Sequence, residues 1–309
     1  MGQREIVMLG HGEIGRALES ALVPRHRISI WEKDLDTGVE NIPLEEVVEP
    51  GCDLILFAIP TSPHREIAER VHRAAPHEVA CLTIAKGLDA DGHTPADIMQ
   101  AVFGNERQFG VLYGPMIAEN MLAGLPGFAT VAAQSEAVIS LVLELFAGSH
   151  LHVSGSHDVV GASWAVILKN VYVPLVGAAD ELALGANIRG FLLAAALNEL
   201  ARIVQKFGGE VKTVYGLPGA GDLITTATSS GSHHRNAGMK LAAGQTDELL
   251  ASGTNIRGEG FHALRMLDQH KLIEFADFPV VSAMRDLLDK PKNARAIILK
   301  LCENASLLQ

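Results

Sequence analysis

The sequence contains little cysteine, few aromatic residues and a deficit of positive charge. Its three cysteines, Cys52, Cys81 and Cys302, lie far apart and form no CxxC spacing. This argues against a disulfide framework and against a structural zinc site, and it fits the reducing environment of the cytoplasm. The thirteen histidines include no HExxH or other helical ligand spacing. We therefore expect no metal site.

The shortage of positive charge restricts the possible partners. The formal net charge is -11, whereas nucleic acids and anionic membranes require a basic surface. The chain enters an apolar strand pattern within a few residues, which leaves no room for an export signal. The later apolar stretches are interrupted by Lys169, Asp180, Glu181 and Arg189, so no membrane span is expected. We expect a soluble cytoplasmic protein with no nucleic-acid partner.

The first half of the chain alternates between strand and helix patterns. Residues 15–23 are typical of a helix, and the apolar runs predict strands at residues 5–9, 27–31, 53–59, 79–84 and 110–112. Strands that are apolar throughout indicate a parallel sheet covered on both faces.

Beyond about residue 155 the pattern becomes helical. Long segments rich in Ala, Leu and Val predict helices at residues 163–177, 187–207, 222–228 and 279–288. We therefore expect an α/β fold in which a Rossmann-type doubly wound parallel sheet at residues 1–155 binds a dinucleotide. An all-helical domain at residues 156–309 would carry the substrate and the catalytic groups. Helical domains this rich in Ala and Leu often pair through an apolar face, so we expect a homodimer.

A glycine motif, GHGEIG at residues 10–15, follows the first strand. Gly10 permits the tight turn, Gly12 lets the backbone approach a pyrophosphate, and Gly15 lets the helix lie close to the sheet. Glu32 ends the second strand, where it could accept hydrogen bonds from the adenosine ribose. We expect NAD as cofactor, and NADP is the alternative because Lys33 could meet a 2'-phosphate.

Two lysines are candidates for chemistry. Lys169 lies in a segment that is apolar on nearly every face, where desolvation lowers the pKa of an ammonium and makes proton exchange feasible near neutral pH. Lys86 follows an apolar strand, at the sheet edge where ligands of α/β folds collect. The alternatives are a Lys169 that reaches solvent or pairs with a structural carboxylate, and a solvated Lys86.

Asp222, Arg235 and Asn236 complete the candidate set. Asp222 could serve the active site or cap the helix at residues 222–228, and the two roles are compatible. Arg235 and Asn236 offer a forked cation and an amide to a phosphate or carboxylate, with placement on the surface as the alternative.

These motifs match one family. The chain resembles the NAD(P)-dependent glycerol-3-phosphate dehydrogenases nearly from end to end. The resemblance rests on the glycine turn and on the motifs at residues 58–60, 85–88, 113–119, 158–161, 167–171, 185–187, 219–225, 235–236 and 258–260.

The resemblance implies reversible hydride transfer between a nicotinamide and dihydroxyacetone phosphate or sn-glycerol 3-phosphate, in glycerophospholipid and carbohydrate metabolism. Lys169 would be the acid/base, oriented with the substrate by Lys86 and Asp222. The implied substrate-binding residues are Lys86, Gly114, Lys169, Asp222, Thr226, His234, Arg235 and Asn236. The implied cofactor-binding residues are Gly10, Gly12, Glu13, Ile14, Gly15, Glu32, Lys33, Pro60, Lys86, Ala118, Arg235 and Glu259.

The chain departs from the family pattern near the expected substrate. Met116 and His234 stand where serine is usual, Ser163 stands where glutamate is usual, and Ala195 replaces an arginine. These departures leave two alternatives to glycerol-3-phosphate dehydrogenase. One is a related reductase of another small oxo acid, of the ketopantoate or opine type. The other is a nicotinamide-nucleotide sensor without turnover, against which the presence of both Lys86 and Lys169 argues.

Overall fold

The chain forms two compact units in a computed structural model that describes residues 2–33, 42–48, 52–245 and 258–303. The first unit comprises Met1–Ala85 and His93–Val159, and the second comprises Lys86–Gly92 and Val160–Gln309. The sequence predicts a single division, at residue 155, with Lys86 in the first domain. In the structure the segment Lys86–Gly92 packs with the second unit.

The first unit is built on a seven-stranded sheet with the order β2-β1-β3-β4-β5-β6-β7. All neighbouring strands are parallel except β5 and β6, which are antiparallel, so the sheet is mostly rather than entirely parallel. Strands β6 and β7 were not predicted from the sequence, because their residues are mostly small or polar. The strands are β1 (Glu5–Leu9), β2 (Arg27–Trp31), β3 (Leu54–Phe57), β4 (Ala80–Thr83), β5 (Phe109–Tyr113), β6 (Gly127–Ala133) and β7 (Leu151–Ser156).

Helices cover both faces of this sheet, as the uniformly apolar strands predicted. Ile6 and Met8 of β1 pack into one core layer, and Val7 and Leu9 pack into the other. Because successive side chains of a strand point to opposite faces, a strand that lies between two core layers must be apolar at successive positions. The helices are α1 (Glu13–Leu22), α2 (Leu44–Val47), α3 (His64–Ala74), α4 (Pro95–Phe103), α5 (Ala118–Leu122) and α6 (Glu136–Phe146).

The described residues of the second unit form helices and connecting segments, with no β-strand among them. Its central helix, α7, is long and apolar enough to cross a membrane, but 94% of its most apolar stretch is buried inside the protein, as in a core helix. The helices are α7 (Val159–Glu181), α8 (Ala186–Lys206), α9 (Val211–Val214), α10 (Asp222–Thr228), α11 (His233–Ala242), α12 (Glu259–Gln269), α13 (Pro279–Asp289) and α14 (Ala294–Cys302).

Glycines bring two helices into backbone contact with α7. A Cβ on Gly238 of α11 would overlap the carbonyl oxygen of Pro174, and a Cβ on Gly177 would overlap that of Arg235. On α12, a Cβ on Gly260 would overlap the carbonyl oxygen of Asn170. Helix α7 therefore fixes the first turns of both α11 and α12, which carry candidate site residues.

Candidate active site

The glycine turn between β1 and α1 has the geometry that a dinucleotide site requires. Gly10 has φ +91°, and a Cβ there would lie 2.6 Å from the carbonyl oxygen of Ala58. A Cβ on Gly15 would lie 2.9 Å from the carbonyl oxygen of Gly10, so this glycine permits close packing of helix and strand. A Cβ on Gly12 would meet no described atom within 4 Å, so the space above the N-terminus of α1 is open.

The adjoining sheet edge carries Glu32 and Pro60. The Gly10 N–H donates to the Trp31 carbonyl at 2.7 Å, so Glu32, the next residue, follows β2 directly beside the glycine turn. Pro60 follows β3 at the same edge. Lys33 is exposed, with its Nζ 4.0 Å from a carboxylate oxygen of Glu66.

A buried histidine, which was not predicted as a site residue, forms hydrogen bonds to two segments at this edge. The Nδ1–H of His64 donates to the Pro60 carbonyl, and its Nε2 accepts from the Thr83 hydroxyl, both at 2.8 Å. Burial lowers the pKa of His64 to about 4, so it stays neutral at physiological pH. The sequence signal for this role is a histidine at the start of the helix that follows a buried strand.

Lys169 occupies the middle of α7 and is shielded from solvent. Its side chain is 6% exposed. Burial lowers the pKa of its ammonium to about 8; the charge of Lys86 adds to this effect, and Asp222 opposes it. The buried, charge-paired Lys169 contradicts the alternative in which its side chain reaches solvent.

Asp222 brings the two lysines together. It is the first residue of α10, and its side chain is 3% exposed. One carboxylate oxygen lies 2.7 Å from Nζ of Lys86, and the other lies 3.3 Å from Nζ of Lys169. Burial alone would raise the pKa of Asp222, but Lys169 and Lys86 outweigh it and lower this pKa. The structure thus assembles the three residues that the sequence analysis assigned to catalysis.

Thr226 and Asn170 support this cluster. The Thr226 hydroxyl accepts from the Lys169 ammonium at 2.8 Å and donates to the Asp222 carbonyl at 2.6 Å. The Asn170 amide donates to the Lys86 carbonyl at 3.0 Å, and its Oδ1 is buried with no partner among the described residues. Asn170 follows Lys169 directly in the sequence, but its role depends on this contact with Lys86 and is not evident from the sequence alone.

Two further titratable groups act on the cluster electrostatically. Burial raises the pKa of Glu259, at the start of α12, to about 7, although Lys169 and Lys86 oppose the shift. Burial also lowers the pKa of His234, on α11, to about 3, and the charge of Lys169 adds to the effect. His234 is therefore a neutral imidazole near neutral pH, where the family usually has serine.

Arg235 lies one residue further along α11 and is held by an acidic side chain. Its Nε and Nη2 lie 2.9 and 2.8 Å from Oδ2 of Asp180. Asn236 donates its amide to the Ser230 carbonyl at 3.4 Å and is partly exposed. The partly buried Arg235 does not fit the alternative of a free surface cation.

The remaining predicted positions divide between the units. Gly114 and Ala118 belong to the first unit, where Gly114 follows β5 and Ala118 begins α5. Met116 is buried in the core layer that contains Ile6 and Met8. In the second unit Ser163 and Ala195 are buried, and the Ser163 hydroxyl has no partner in the described chain.

One group of potential metal ligands occurs in the first unit. Ligand atoms of His72, His77 and Glu106 lie within 4.8 Å of one another. The Nδ1 of His72 is buried and has no partner among the residues described, so binding a metal through Nε2 would leave an unpaired N–H. The absence of a metal site stays a prediction.

Comparison with known proteins identifies the family. The sequence profile for the N-terminus of NAD-dependent glycerol-3-phosphate dehydrogenase matches residues 39–139, and the profile for its C-terminus matches residues 158–299. The chain belongs to the NAD-dependent glycerol-3-phosphate dehydrogenase family. Membership confirms the resemblance inferred from the motifs, an NAD(P)-dependent oxidoreductase class, and NAD or NADP as the cofactor.

Individual relatives support the assignment. The chain is 30% identical to the glycerol-3-phosphate dehydrogenase [NAD(P)+] of Nitrosomonas eutropha in an alignment of 332 positions. The alignment covers 94% of this chain and 98% of the relative. Its fold matches a glycerol-3-phosphate dehydrogenase from Coxiella burnetii at a TM-score of 0.85 with 23% identity, over 98% and 99% of the two chains.

A ketopantoate reductase from Ralstonia eutropha matches less well. Its TM-score is 0.54 at 15% identity, over 97% of this chain and all of that one, and this similarity concerns the fold alone. The expected fold class is confirmed, and glycerol-3-phosphate dehydrogenase is supported over the oxo-acid reductase and the sensor.

Proposed function

We propose that this chain transfers a hydride reversibly between a nicotinamide cofactor and dihydroxyacetone phosphate or sn-glycerol 3-phosphate. The observation that carries the proposal is the Lys86–Asp222–Lys169 cluster, in which Asp222 and Lys169 are buried, in a chain of this family. A single carboxylate between two ammonium groups leaves net positive charge where negative charge develops on a substrate oxygen.

Lys169 is the proposed acid/base. When the carbonyl is reduced, its ammonium donates a proton to the oxygen as the hydride reaches the carbon, and in the reverse direction its neutral amine accepts the hydroxyl proton. Asp222 and Thr226 hold the amine in place through the contacts described above. Lys86 contributes the second positive charge that stabilises the developing alkoxide.

The proposed cofactor site is the open space at the N-terminus of α1. NAD(P)H supplies the hydride when bound. Backbone N–H groups of Gly12, Glu13, Ile14 and Gly15 would face the pyrophosphate because they begin a helix, and Glu32 would hold the adenosine ribose. Gly10, Lys33, Pro60, Lys86, Ala118, Arg235 and Glu259 complete the proposed cofactor-binding set. NAD is the preferred nucleotide because Glu32 disfavours a 2'-phosphate.

Arg235 and Asn236 are the proposed phosphate ligands. The guanidinium offers a planar fork of donors, and Asn236 offers an amide on the same first turn of α11. Gly114, Thr226 and His234 are proposed to contact the substrate. The neutral imidazole of His234 can donate to one substrate oxygen or accept from one hydroxyl.

Replacement of the proposed acid tests the function. We expect Lys169→Ala to lower kcat for dihydroxyacetone phosphate more than about 100-fold while NADH affinity survives, because acid/base groups contribute roughly this much. Cofactor oxidation followed spectrophotometrically and NADH titration supply the two measurements. Lys300→Ala, at an exposed lysine of α14, is the matched control and should keep wild-type turnover.

Two outcomes would contradict the proposal. Near-normal turnover by Lys169→Ala would show that Lys169 is not the acid. Absence of turnover with dihydroxyacetone phosphate in the pure, NADH-loaded wild type would reject the substrate, and ketopantoate tested in parallel would reveal the alternative reductase.

The cellular setting is also proposed. Three free cysteines fit a reducing cytoplasm, where disulfides are rare. We propose a homodimer there, as the apolar helical sequence of the second unit suggests, which light scattering of the pure protein would test.

A further inference from the structure

We propose that Asp180 is a positioning residue that fixes the guanidinium of Arg235 for binding the substrate phosphate. The inference rests on the proposed function, in which Arg235 is a phosphate ligand. Asp180 lies at the C-terminal end of α7, 55 residues before Arg235 in the chain.

The hydrogen bonds define how Arg235 is held. Asp180 is 8% exposed, and its Oδ2 accepts from both Nε and Nη2 of Arg235, at 2.9 and 2.8 Å. A guanidinium bound along this edge retains both hydrogens of Nη1 and one hydrogen of Nη2. These remaining donors form the fork that a phosphate would bind.

The other oxygen of Asp180 is occupied by a second arginine. Its Oδ1 accepts from Nε of Arg189 at 2.9 Å and from Nη2 at 2.5 Å. Arg189 lies in the first turn of α8, opposite Arg235 on the same carboxylate. Because two cations share one anion, the group keeps a net positive charge and Asp180 does not cancel the attraction of Arg235 for a phosphate.

The backbone of Arg235 is fixed by the same helix. Its carbonyl oxygen packs against Gly177, one turn before Asp180 on α7, and its N–H donates to the Ser232 hydroxyl at 3.2 Å. Helix α7 therefore constrains both the main chain and the side chain of Arg235. Prior ordering of this kind reduces the entropy lost when a phosphate binds.

Replacement of Asp180 in the full-length protein tests the inference. We expect Asp180→Asn to weaken binding of inorganic phosphate about tenfold by calorimetry and to raise KM for dihydroxyacetone phosphate about tenfold, because charged hydrogen bonds contribute on this scale. The kcat should change less than KM, since Lys169 and Asp222 are not altered. Asp180→Glu keeps the charge and should recover part of the phosphate affinity.

A double-mutant comparison separates positioning from a general structural effect. In the Arg235→Leu background, Asp180→Asn should weaken phosphate binding no further, because the residue acts through Arg235. Asp268→Asn, which disrupts an exposed pair with Arg285, is the control and should leave phosphate affinity unchanged.

Phosphate affinity and KM within twofold of wild type in Asp180→Asn would overturn the inference, as would an equal loss of affinity in the Arg235→Leu background. Should Asp180→Asn fail to fold, Asp180→Glu decides, because unaltered phosphate affinity there overturns positioning and reduced affinity supports it. If phosphate binding falls as expected while dihydroxyacetone phosphate is not turned over, the proposed function fails and the positioning role stands.

Discussion

At the scale of single residues, the site depends on a lysine whose protonation state is set by its surroundings. Burial shifts the pKa of Lys169 to about 8, close enough to neutral for the amine to exchange its proton during turnover. Asp222 and Glu259 favour the ammonium, whereas Lys86 disfavours it. The two directions of the proposed reaction require opposite protonation states of this one group.

The pH dependence follows from this opposition. Reduction requires the ammonium, so kcat/KM for reduction should be constant below about pH 7 and fall above about pH 8, whereas that for oxidation should rise over the same range. Glu259→Gln removes a charge that raises the pKa of Lys169. The fall in kcat/KM for reduction and the rise in kcat/KM for oxidation should therefore both move to lower pH. Initial rates in both directions between pH 6 and 10 provide the measurement. If the pH dependence of kcat/KM is the same in Glu259→Gln as in the wild type, Lys169 does not set it.

At the scale of elements, α7 organises the second unit. It supplies Lys169, Asn170 and Asp180, and glycines bring α11 and α12 against its backbone. Further along, the Tyr172 hydroxyl donates to Glu199 of α8 at 3.2 Å, and Glu199 accepts the first two N–H groups of α13 at 2.7 and 2.8 Å. Helices α8, α11 and α12 therefore contact α7 directly, and α13 contacts α8.

The contact between α11 and α7 should be intolerant of one methyl group. In Gly238→Ala the Cβ would overlap the Pro174 carbonyl, so we expect a loss of about 1–3 kcal/mol of stability, together with weaker phosphate binding because α11 carries Arg235. Gly190→Ala, in α8 with nothing within 4 Å of its Cβ, is the control and should gain about 0.5–1 kcal/mol. Chemical denaturation and phosphate calorimetry measure both effects. Equal stability of the two variants would show that the backbone contact is not tight.

At the scale of the whole molecule, the proposed pyrophosphate site and the proposed phosphate ligands belong to different units. The glycine turn belongs to the first unit and Arg235 to the second. Each ligand should stabilise the folded protein in proportion to its affinity and concentration, because it binds the folded state in preference to the unfolded chain. The two effects can therefore be removed separately.

Gly12→Ser should reduce stabilisation by the cofactor without affecting stabilisation by phosphate. The backbone at residue 12 has φ -66° and ψ -169°, which serine adopts readily, and serine is a favourable N-cap for α1. Melting without ligand should therefore be nearly unchanged. The increase in Tm produced by NADH should shrink, because the side chain enters the space proposed for the pyrophosphate, while the increase produced by inorganic phosphate should remain. Undiminished protection by NADH would place the nucleotide elsewhere.

The sequence predicted those parts of the fold and site that depend on local patterns. Strands β1 to β5 follow from apolar runs, and the glycine turn follows from spacing within six residues. Strands β6 and β7 lack such runs, since β7 reads LHVSGS. In the sequence Asp180 is a charge that interrupts an apolar stretch. Its bond to Arg235 joins residues 55 positions apart, which no local pattern encodes.

The assignment of Lys86–Gly92 to the second unit has a consequence for biosynthesis. The chain passes between the units after residues 85, 92 and 159, and Lys86 meets Asp222 across 136 residues. During translation Lys86 leaves the ribosome long before its carboxylate partner, so this ion pair can form only after the first unit has been synthesised. A fragment that starts at residue 160 would bury Asp222 with one counter-ion instead of two. The halves of this gene should therefore not be separable by truncation into independently active proteins.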